Sequence, residues 1–490
     1  MKNKSEFNSV MYVSLILVFA IVFWGILSPS SFGVAANGLF NFLVEKFGWL
    51  YLVSMFLFVA FAAFLAFSKY GNIKLGPDDS KPEFSNRSWF AMLFGAGMGI
   101  GLIFWGVAEP LNHFIAPIGA EPGTSAAANF AIKTSFLHWG FHPWANYSII
   151  GLGLAYFQFR RNKKGLISSI FIPLLGEDRV NGPIGKMIDI FAVFATVAGV
   201  ATSLGIGTLQ INSGLNFLFG VPNTNAVAVI IIAAITIIYI YTAVTGIKKG
   251  IKVLSDINLL VAIGLLLAAI IIGPTVQIIN SLTNGIGMYL SGFIRDSFHI
   301  NPFGDNSWLG SWTIFYWAWW IAWAPFVGTF IARISRGRTI REFILGVIVA
   351  PSIASFIWFA TFGALGINLG PEIAKEATQV TATAFFVVMQ QYPLGQILSL
   401  VAVFLLGTFF ITSANSATFV LGMITSDGNP EPSDFKKIVW GLIQSALAVA
   451  LLLAGGLSTL QIGSIAAAFP FAIIMIFATV SIYKALQDEI

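Results

Sequence analysis

The stretch Trp312-Thr-Ile-Phe-Tyr-Trp-Ala-Trp-Trp-Ile-Ala-Trp-Ala-Pro-Phe-Val-Gly-Thr-Phe330 decides how the chain is read. Five tryptophans fall between Trp312 and Trp323, and Pro325 and Gly328 follow at once. The stretch is apolar enough to cross a ~30 Å hydrocarbon core, which takes about 20 helical residues. Yet it carries helix breakers in mid-span. Breakers at membrane depth leave backbone groups that lipid cannot satisfy, and they are tolerated where protein or a water-filled cavity supplies partners. A break at Pro325 to Gly328, lined by tryptophan, therefore predicts a place inside a membrane bundle where something polar binds.

The rest of the chain agrees with a membrane setting. Of its 490 residues 57% are hydrophobic and 10% charged, against roughly 25% charged in a soluble domain. The fold class read from this is an all-α polytopic membrane protein. Twelve transmembrane helices are predicted, at 10–28, 49–68, 88–108, 128–159, 187–209, 226–245, 254–274, 309–333, 342–367, 395–425, 435–455 and 463–484. Lys2 and Lys4 precede an apolar run, Val10 to Leu27, that exceeds a signal-peptide core, so it is read as a retained first helix. Assigned alternately to two sides, the loops put all 26 basic residues but Lys46, Lys133, Arg295 and Lys375 on the side of the N-terminus. Basic loops stay cytoplasmic, so both termini are expected there, in a multi-pass protein of the cell membrane. The net charge of +5 is then topological, and a nucleic-acid partner is set aside. The chain has no cysteine, which excludes disulfides, thiolate catalysis and cysteine metal sites.

A second interrupted span matches the first. Span three contains Phe94-Gly-Ala-Gly-Met-Gly-Ile-Gly-Leu-Ile-Phe-Trp-Gly106. Spans three to seven and eight to twelve make two blocks of five with opposite orientation, each opening on a broken helix. Broken helices at matching places in inverted repeats mark a secondary transporter with its site near the midplane. The predicted organisation is a tail and two helices outside the repeat (1–87), the first repeat (88–275), a linking segment (276–307), the second repeat (308–485) and a short tail (486–490). The linking segment is expected to hold an interfacial helix over Ile278–Ile294.

Each constellation has a plain reading beside the functional one. The glycine run follows no strand, so it is no phosphate cradle. It serves close helix packing, through its small-xxx-small spacing, or unwinding that offers carbonyls to an ion. Trp308 and Trp312 are read as interfacial belt residues, while Trp317, Trp319, Trp320 and Trp323 lie deeper. Span four adds His138-Trp-Gly-Phe-His-Pro-Trp-Ala-Asn-Tyr147. Aromatic faces without carboxylates suit a quaternary ammonium group, each contact contributing about 0.5–2 kcal/mol. In span ten, Thr412 and Ser413 either bond back to their own helix or act as neutral oxygen ligands for Na⁺; Thr196 is a third candidate. No Asp or Glu is expected at the centre of a span: Glu109, Asp189 and Asp256 fall near the ends. Buried carboxylates are the usual proton carriers, so proton coupling is disfavoured. His138 and His142 are the remaining candidates, and lone histidines are more often structural.

Gly97-Met-Gly-Ile-Gly101, Glu109-Pro110, the tryptophan stretch and Ala332-Arg-Ile-Ser-Arg-Gly-Arg-Thr-Ile-Arg-Glu342 together closely resemble the betaine/carnitine/choline transporter family, from about residue 10 to 485. The resemblance implies the leucine-transporter-type 5+5 inverted repeat preceded by two extra helices, usually as a homotrimer. It implies an aromatic box of Trp139, Trp144, Tyr147 and Trp320 along the substrate path. Met98, Ile100, Gly101, Ser203, Trp319, Trp320 and Trp323 would contact the substrate. One sodium would sit among Gly95, Ala96, Met98, Phe409, Thr412 and Ser413, and a second near Thr196 and Phe326. Gly101 resembles the betaine-type glycine, where proton-coupled choline members carry aspartate. Trp323-Ala-Pro-Phe326 resembles the sodium-coupled branch. Val200 and Asn415 depart from the pattern, where a threonine and an aspartate are expected.

The function expected is therefore Na⁺-coupled symport of glycine betaine by alternating access, serving osmoprotection, with Na⁺ the coupling ion and no other cofactor. The alternatives are a choline or carnitine transporter, proton-coupled or exchanging, and a non-transporting osmosensor or channel. No nucleophile–base or metal constellation is visible at depth, so no enzyme activity is expected.

Overall fold

In hydrocarbon, long apolar runs satisfy their backbone only as helices or closed barrels, and here they are helices. The computed structural model describes residues 8–97, 99–245 and 248–489. Its long helices are α1 (Ser9–Leu27), α2 (Pro29–Phe67), α3 (Asn86–Gly97), α4 (Ile100–Ile115), α5 (Ser125–Trp139), α6 (Phe141–Ala155), α7 (Pro183–Phe219) and α8 (Asn225–Val244). There follow α9 (Lys248–Ile272), α10 (Thr275–Ser297), α11 (Phe315–Ile334), α12 (Ile340–Asn368), α13 (Gly395–Ile424), α14 (Asp434–Gly455) and α15 (Leu457–Gln487). Among the described residues, ten helices are long and apolar enough to cross a membrane in one piece. The third and fourth predicted spans are each cut into two shorter helices, α3/α4 and α5/α6. The linking helix is α10, which runs beyond its predicted bounds at both ends and packs on α5 and α12.

The packing is reciprocal. Helix α6 of span four lies on α11 of span eight, as α12 of span nine lies on α4 and α3 of span three. Likewise α7 packs on α14 and α15, as α13 packs on α8 and α9, and the pairs α7–α13 and α8–α14 close on themselves. An inverted repeat produces this pattern. One pair departs from it: α11 packs on α15, whereas α3 and α9 make no comparable contact among the described residues.

The breaks have local causes. Between α3 and α4 the chain is extended at Gly99 (φ −165°, ψ −171°), and α4 restarts with Leu102 N–H donating to the Gly99 carbonyl at 3.2 Å. Between α5 and α6 the break is Gly140. There the freed N–H of Phe141 donates to the Tyr289 hydroxyl at 3.0 Å, and a Cβ would lie 2.8 Å from that oxygen.

The predicted break at Pro325 to Gly328 is absent: α11 runs through both. Proline costs a helix one hydrogen bond and a clash with the preceding turn. Here α6, α7 and α15 enclose the helix, and Thr329 donates its hydroxyl to the Pro325 carbonyl at 2.7 Å. Gly328 serves packing instead, since a Cβ would stand 2.7 Å from Ile150 Cγ2. The irregularity lies at the other end, where Gly310–Ile314 form a wide π-turn.

The basic segment after α11 straps the fold together. Leu75 N–H donates to the Arg338 carbonyl and Gly337 N–H to the Leu75 carbonyl, both at 2.8 Å. The buried Arg338 guanidinium lies 3.9 Å over the Trp89 ring and donates to Asn86 Oδ1 at 2.8 Å. A capping box between Thr339 and Glu342 then starts α12.

Candidate functional site: a tryptophan-lined cavity

Helices α5, α6 and α11 deliver aromatic residues to one cavity of about 600 Å³, which α4 lines with Ile100, Gly101 and Leu102. Its deep wall is Trp139, Trp144, Tyr147, Trp319, Trp320 and Trp323. The Trp319 and Trp320 rings stack, with centroids 4.8 Å apart and planes 15° apart. Trp139 meets Trp320 edge-on at 4.8 Å and 74°, and Tyr147 meets it at 6.4 Å and 82°. Such edge-to-face sets present ring faces from several directions, which is how a cation is held without a carboxylate.

Three of the indoles are fixed by their own N–H, a donor that needs an acceptor when buried; Trp323 Nε1 has no such partner. Trp319 donates to Ser203 Oγ at 3.1 Å, Trp320 to the His138 carbonyl at 3.0 Å and Trp139 to Glu109 Oε2 at 2.8 Å. Asn146 holds the Trp320 carbonyl at 2.7 Å. Gly101 makes the approach of two indoles feasible, because a Cβ there would lie 2.8 Å from Trp139 Cη2 and 3.0 Å from Trp319 Cη2.

The same cavity collects most of the residues predicted to hold sodium. Gly95, Phe409, Thr412, Ser413 and Phe326 line it, as do Ile100 and Ser203 from the substrate set. Gly95 faces open space. The Thr412 hydroxyl donates within its own helix, to the carbonyls of Thr408 at 3.1 Å and Phe409 at 3.2 Å. Thr196 is not brought to the cavity wall. It is fully buried and donates to the Ala192 carbonyl at 2.8 Å, with Val200 buried one turn on. Asn415 ties α13 to α8 through Thr242 Oγ1 at 3.0 Å. Ala96 belongs to the last turn of α3, and Met98 lies outside the described residues.

Trp308 and Trp312, read as interfacial, are half-buried, and both rings pack on the buried His113, with centroids 5.2 and 4.5 Å away. Trp317 lies deep, as read, but turns from the cavity and stacks on His142 at 4.6 Å. One sequence reading is corrected here. Glu109 does not sit at a span end. Helix α4 continues to Ile115 and encloses it completely, where it meets His113, His138 and Tyr316. The i,i+4 spacing of Glu109 and His113 was the available signal for part of this group; the approach of His138 from another helix left none.

The cavity opens toward the face that carries the basic loops, where Phe84, Ser88, Lys252, Ser255 and Asp256 form its mouth.

A model of the betaine/carnitine/choline family transporters matches residues 9–490. The chain is 49% identical to the glycine betaine transporter OpuD of Bacillus subtilis, over 98% of this chain and 95% of the relative. It is 46% identical to a probable glycine betaine transporter of Desulfitobacterium hafniense, over 98% of each chain. It is 45% identical to an ectoine/hydroxyectoine transporter of Virgibacillus pantothenticus, over 99% of this chain and 98% of the relative.

Proposed function

This chain belongs to the betaine/carnitine/choline transporter family, and on that premise we propose that it is a Na⁺-coupled symporter of glycine betaine. The observation that carries the reading is one cavity with two chemistries. Its deep wall presents aromatic faces and no carboxylate, while Thr412, Ser413 and the bare backbone at Gly95 line it beside them. A trimethylammonium group has no N–H to donate, so ring faces suit it better than hydrogen-bond acceptors. Neutral hydroxyls and carbonyls suit a monovalent cation. Gly101 leaves no charged group at the cage itself, consistent with a zwitterionic substrate.

Betaine has no net charge, so the ion supplies the electrical drive. Each Na⁺ gains about 2.3 kcal/mol per 100 mV and about 1.4 kcal/mol for a tenfold gradient. With the basic loops cytoplasmic, the open mouth is the cytoplasmic one, and the cell takes up betaine when the opposite end opens in turn. Purified protein in proteoliposomes tests this with labelled betaine and imposed Na⁺ or H⁺ gradients. Uptake that requires inward Na⁺ and is competed weakly by ectoine and choline is the expected result. Uptake indifferent to Na⁺ would sink the coupling, and preferential competition by ectoine would move the substrate to that class.

A further inference from the structure

Behind the tryptophan wall lies a second polar group that the transport reading does not use. The Glu109 carboxylate is fully buried. Its Oε2 accepts from the Trp139 indole at 2.8 Å and the Tyr316 hydroxyl at 2.6 Å. Its Oε1 lies 2.6 Å from His138 Nδ1 and 3.4 Å from His113 Nε2. The other nitrogen of His138 is 3.0 Å from Thr313 Oγ1, and its backbone carbonyl holds the Trp320 indole. Two faces of the cage thus hang from one carboxylate and its histidine.

Oε2 accepts from two donors, as an ionised carboxylate does; with His138 neutral, Nδ1–H donates to Oε1, Nε2 accepts from the Thr313 hydroxyl, and the group carries one negative charge. No lysine or arginine pairs with Glu109 among the described residues. Lys133 on α5 is bound to Asp296 of α10 at 2.7 Å. Of the titratable side chains on α6 and α11, Tyr316 donates to Glu109, His142 stacks on Trp317 and Tyr147 faces the cavity. A buried anion without a cationic partner is costly.

We propose that Glu109 is a positioning residue for the cage and the counter-charge, across the Trp139 ring, for the cationic head of the substrate. The inference rests on the quaternary-ammonium reading above. The bound cation supplies the charge that the cluster lacks. A metal ion is the rival occupant, since the three ligand atoms lie within 4.8 Å of one another. The 2.6 Å contact speaks for a shared hydrogen. Two ligands about 2.0–2.2 Å from one tetrahedral ion stand roughly 3.3 Å apart.

Equilibrium binding of betaine and of its carbon isostere 3,3-dimethylbutanoate tests this, with wild type and Glu109→Gln. Glutamine keeps an acceptor for the two ring donors and removes the charge. Betaine affinity is expected to fall about tenfold in the variant, while the isostere binds as before or more tightly. Wild type is expected to bind betaine at least about tenfold more tightly than the isostere, a comparison that needs no variant and so stands even if Glu109→Gln fails to fold. Equal loss for both ligands in the variant, or equal wild-type affinities for the two, overturns the proposal and leaves betaine transport standing. Micromolar Zn²⁺ inhibition lost in His113→Gln overturns it in favour of a metal site. A wild type that binds no betaine at all fails the functional reading instead.

Discussion

The two ends of the cavity are built in opposite ways. At the closed end, rings and a buried carboxylate interlock: Trp139, Trp319, Trp320 and Tyr316 stack or meet edge-on, and every polar atom of Glu109 is engaged. At the open end, α3 and α9 make no comparable contact among the described residues and both line the cavity mouth, while the matching helices α11 and α15 are packed. Two blocks with the same packing pattern thus differ at one pair. Under the proposed transport function, the difference teaches that the far side needs no new fold to open, only an exchange of the packed pair and the parted pair.

The largest expected effect tests that contrast. The chain has no cysteine, so any introduced thiol is unique. Ser255 is exposed at the mouth, and Thr313 is buried against His138 at the closed end. In detergent, where both faces meet solvent, Ser255→Cys is expected to react with a maleimide at least about a hundredfold faster than Thr313→Cys, because a buried site reacts only through rare opening. Comparable rates would mean that the closed end is not closed. Trp320→Ala comes next. It removes the ring that stacks on Trp319 and meets both Trp139 and Tyr147, and betaine binding should weaken by about tenfold or more, the worth of one desolvated cation–π face. Unchanged binding would take Trp320 out of the cage.

How much of this contrast the sequence carried depends on which contacts were local. Span positions were legible because hydropathy is a property of consecutive residues, and the break in span three was legible because glycines cluster there. The break at Gly140 was not, since it persists through Tyr289, a residue 148 positions from the freed N–H of Phe141. Pro325 misled for the converse reason. Its local chemistry says break, but the helices around α11 hold the segment straight. That Trp139, Trp144, Tyr147, Trp319, Trp320 and Trp323 gather in one place was legible from composition and family resemblance together. The cluster behind them was not, because Glu109, His138 and Tyr316 lie far apart in sequence and meet only across three helices. Trp308 and Trp312 were placed by their position alone, which carries no sign of the buried His113 on which they pack.

A smaller effect is expected at the ion-facing wall. Thr412→Ala removes a neutral oxygen that now bonds only within α13. Losing such a self-satisfied hydroxyl should cost little stability, but losing one ligand of a cation corresponds to about 1 kcal/mol, or roughly a fivefold rise in the Na⁺ concentration for half-maximal uptake. Thr412→Ser should restore it. A sodium dependence unmoved by Thr412→Ala would place the ion elsewhere in the cavity.

The smallest effect belongs to the loops that frame the open face, and its size separates the two ends most simply. There the fold is tied by ion pairs near water. Glu489 meets Arg160 at 2.7 Å and Arg161 at 3.0 Å and accepts from the Tyr156 hydroxyl at 2.8 Å, while Arg160 also reaches Asp78 at 2.8 Å. Burial pushes the Glu489 carboxylate up, but the hydrogen bonds and charges of Arg160 and its neighbours hold it below the usual range. A carboxylate lowered in the folded state stabilises above its ordinary titration range and loses that contribution as pH falls through the lowered value. The pairs are partly solvated and salt-screened, so their worth is no more than about 1 kcal/mol. Glu489→Gln should therefore lower the melting temperature by at most a few degrees at low salt and by nothing measurable in 1 M salt, where the Debye length shrinks to about 3 Å. Betaine affinity should not move. The buried cluster at the closed end is shielded from ions, so salt should leave the Glu109→Gln effect intact; an effect there that also vanished in salt would show that end to be wet.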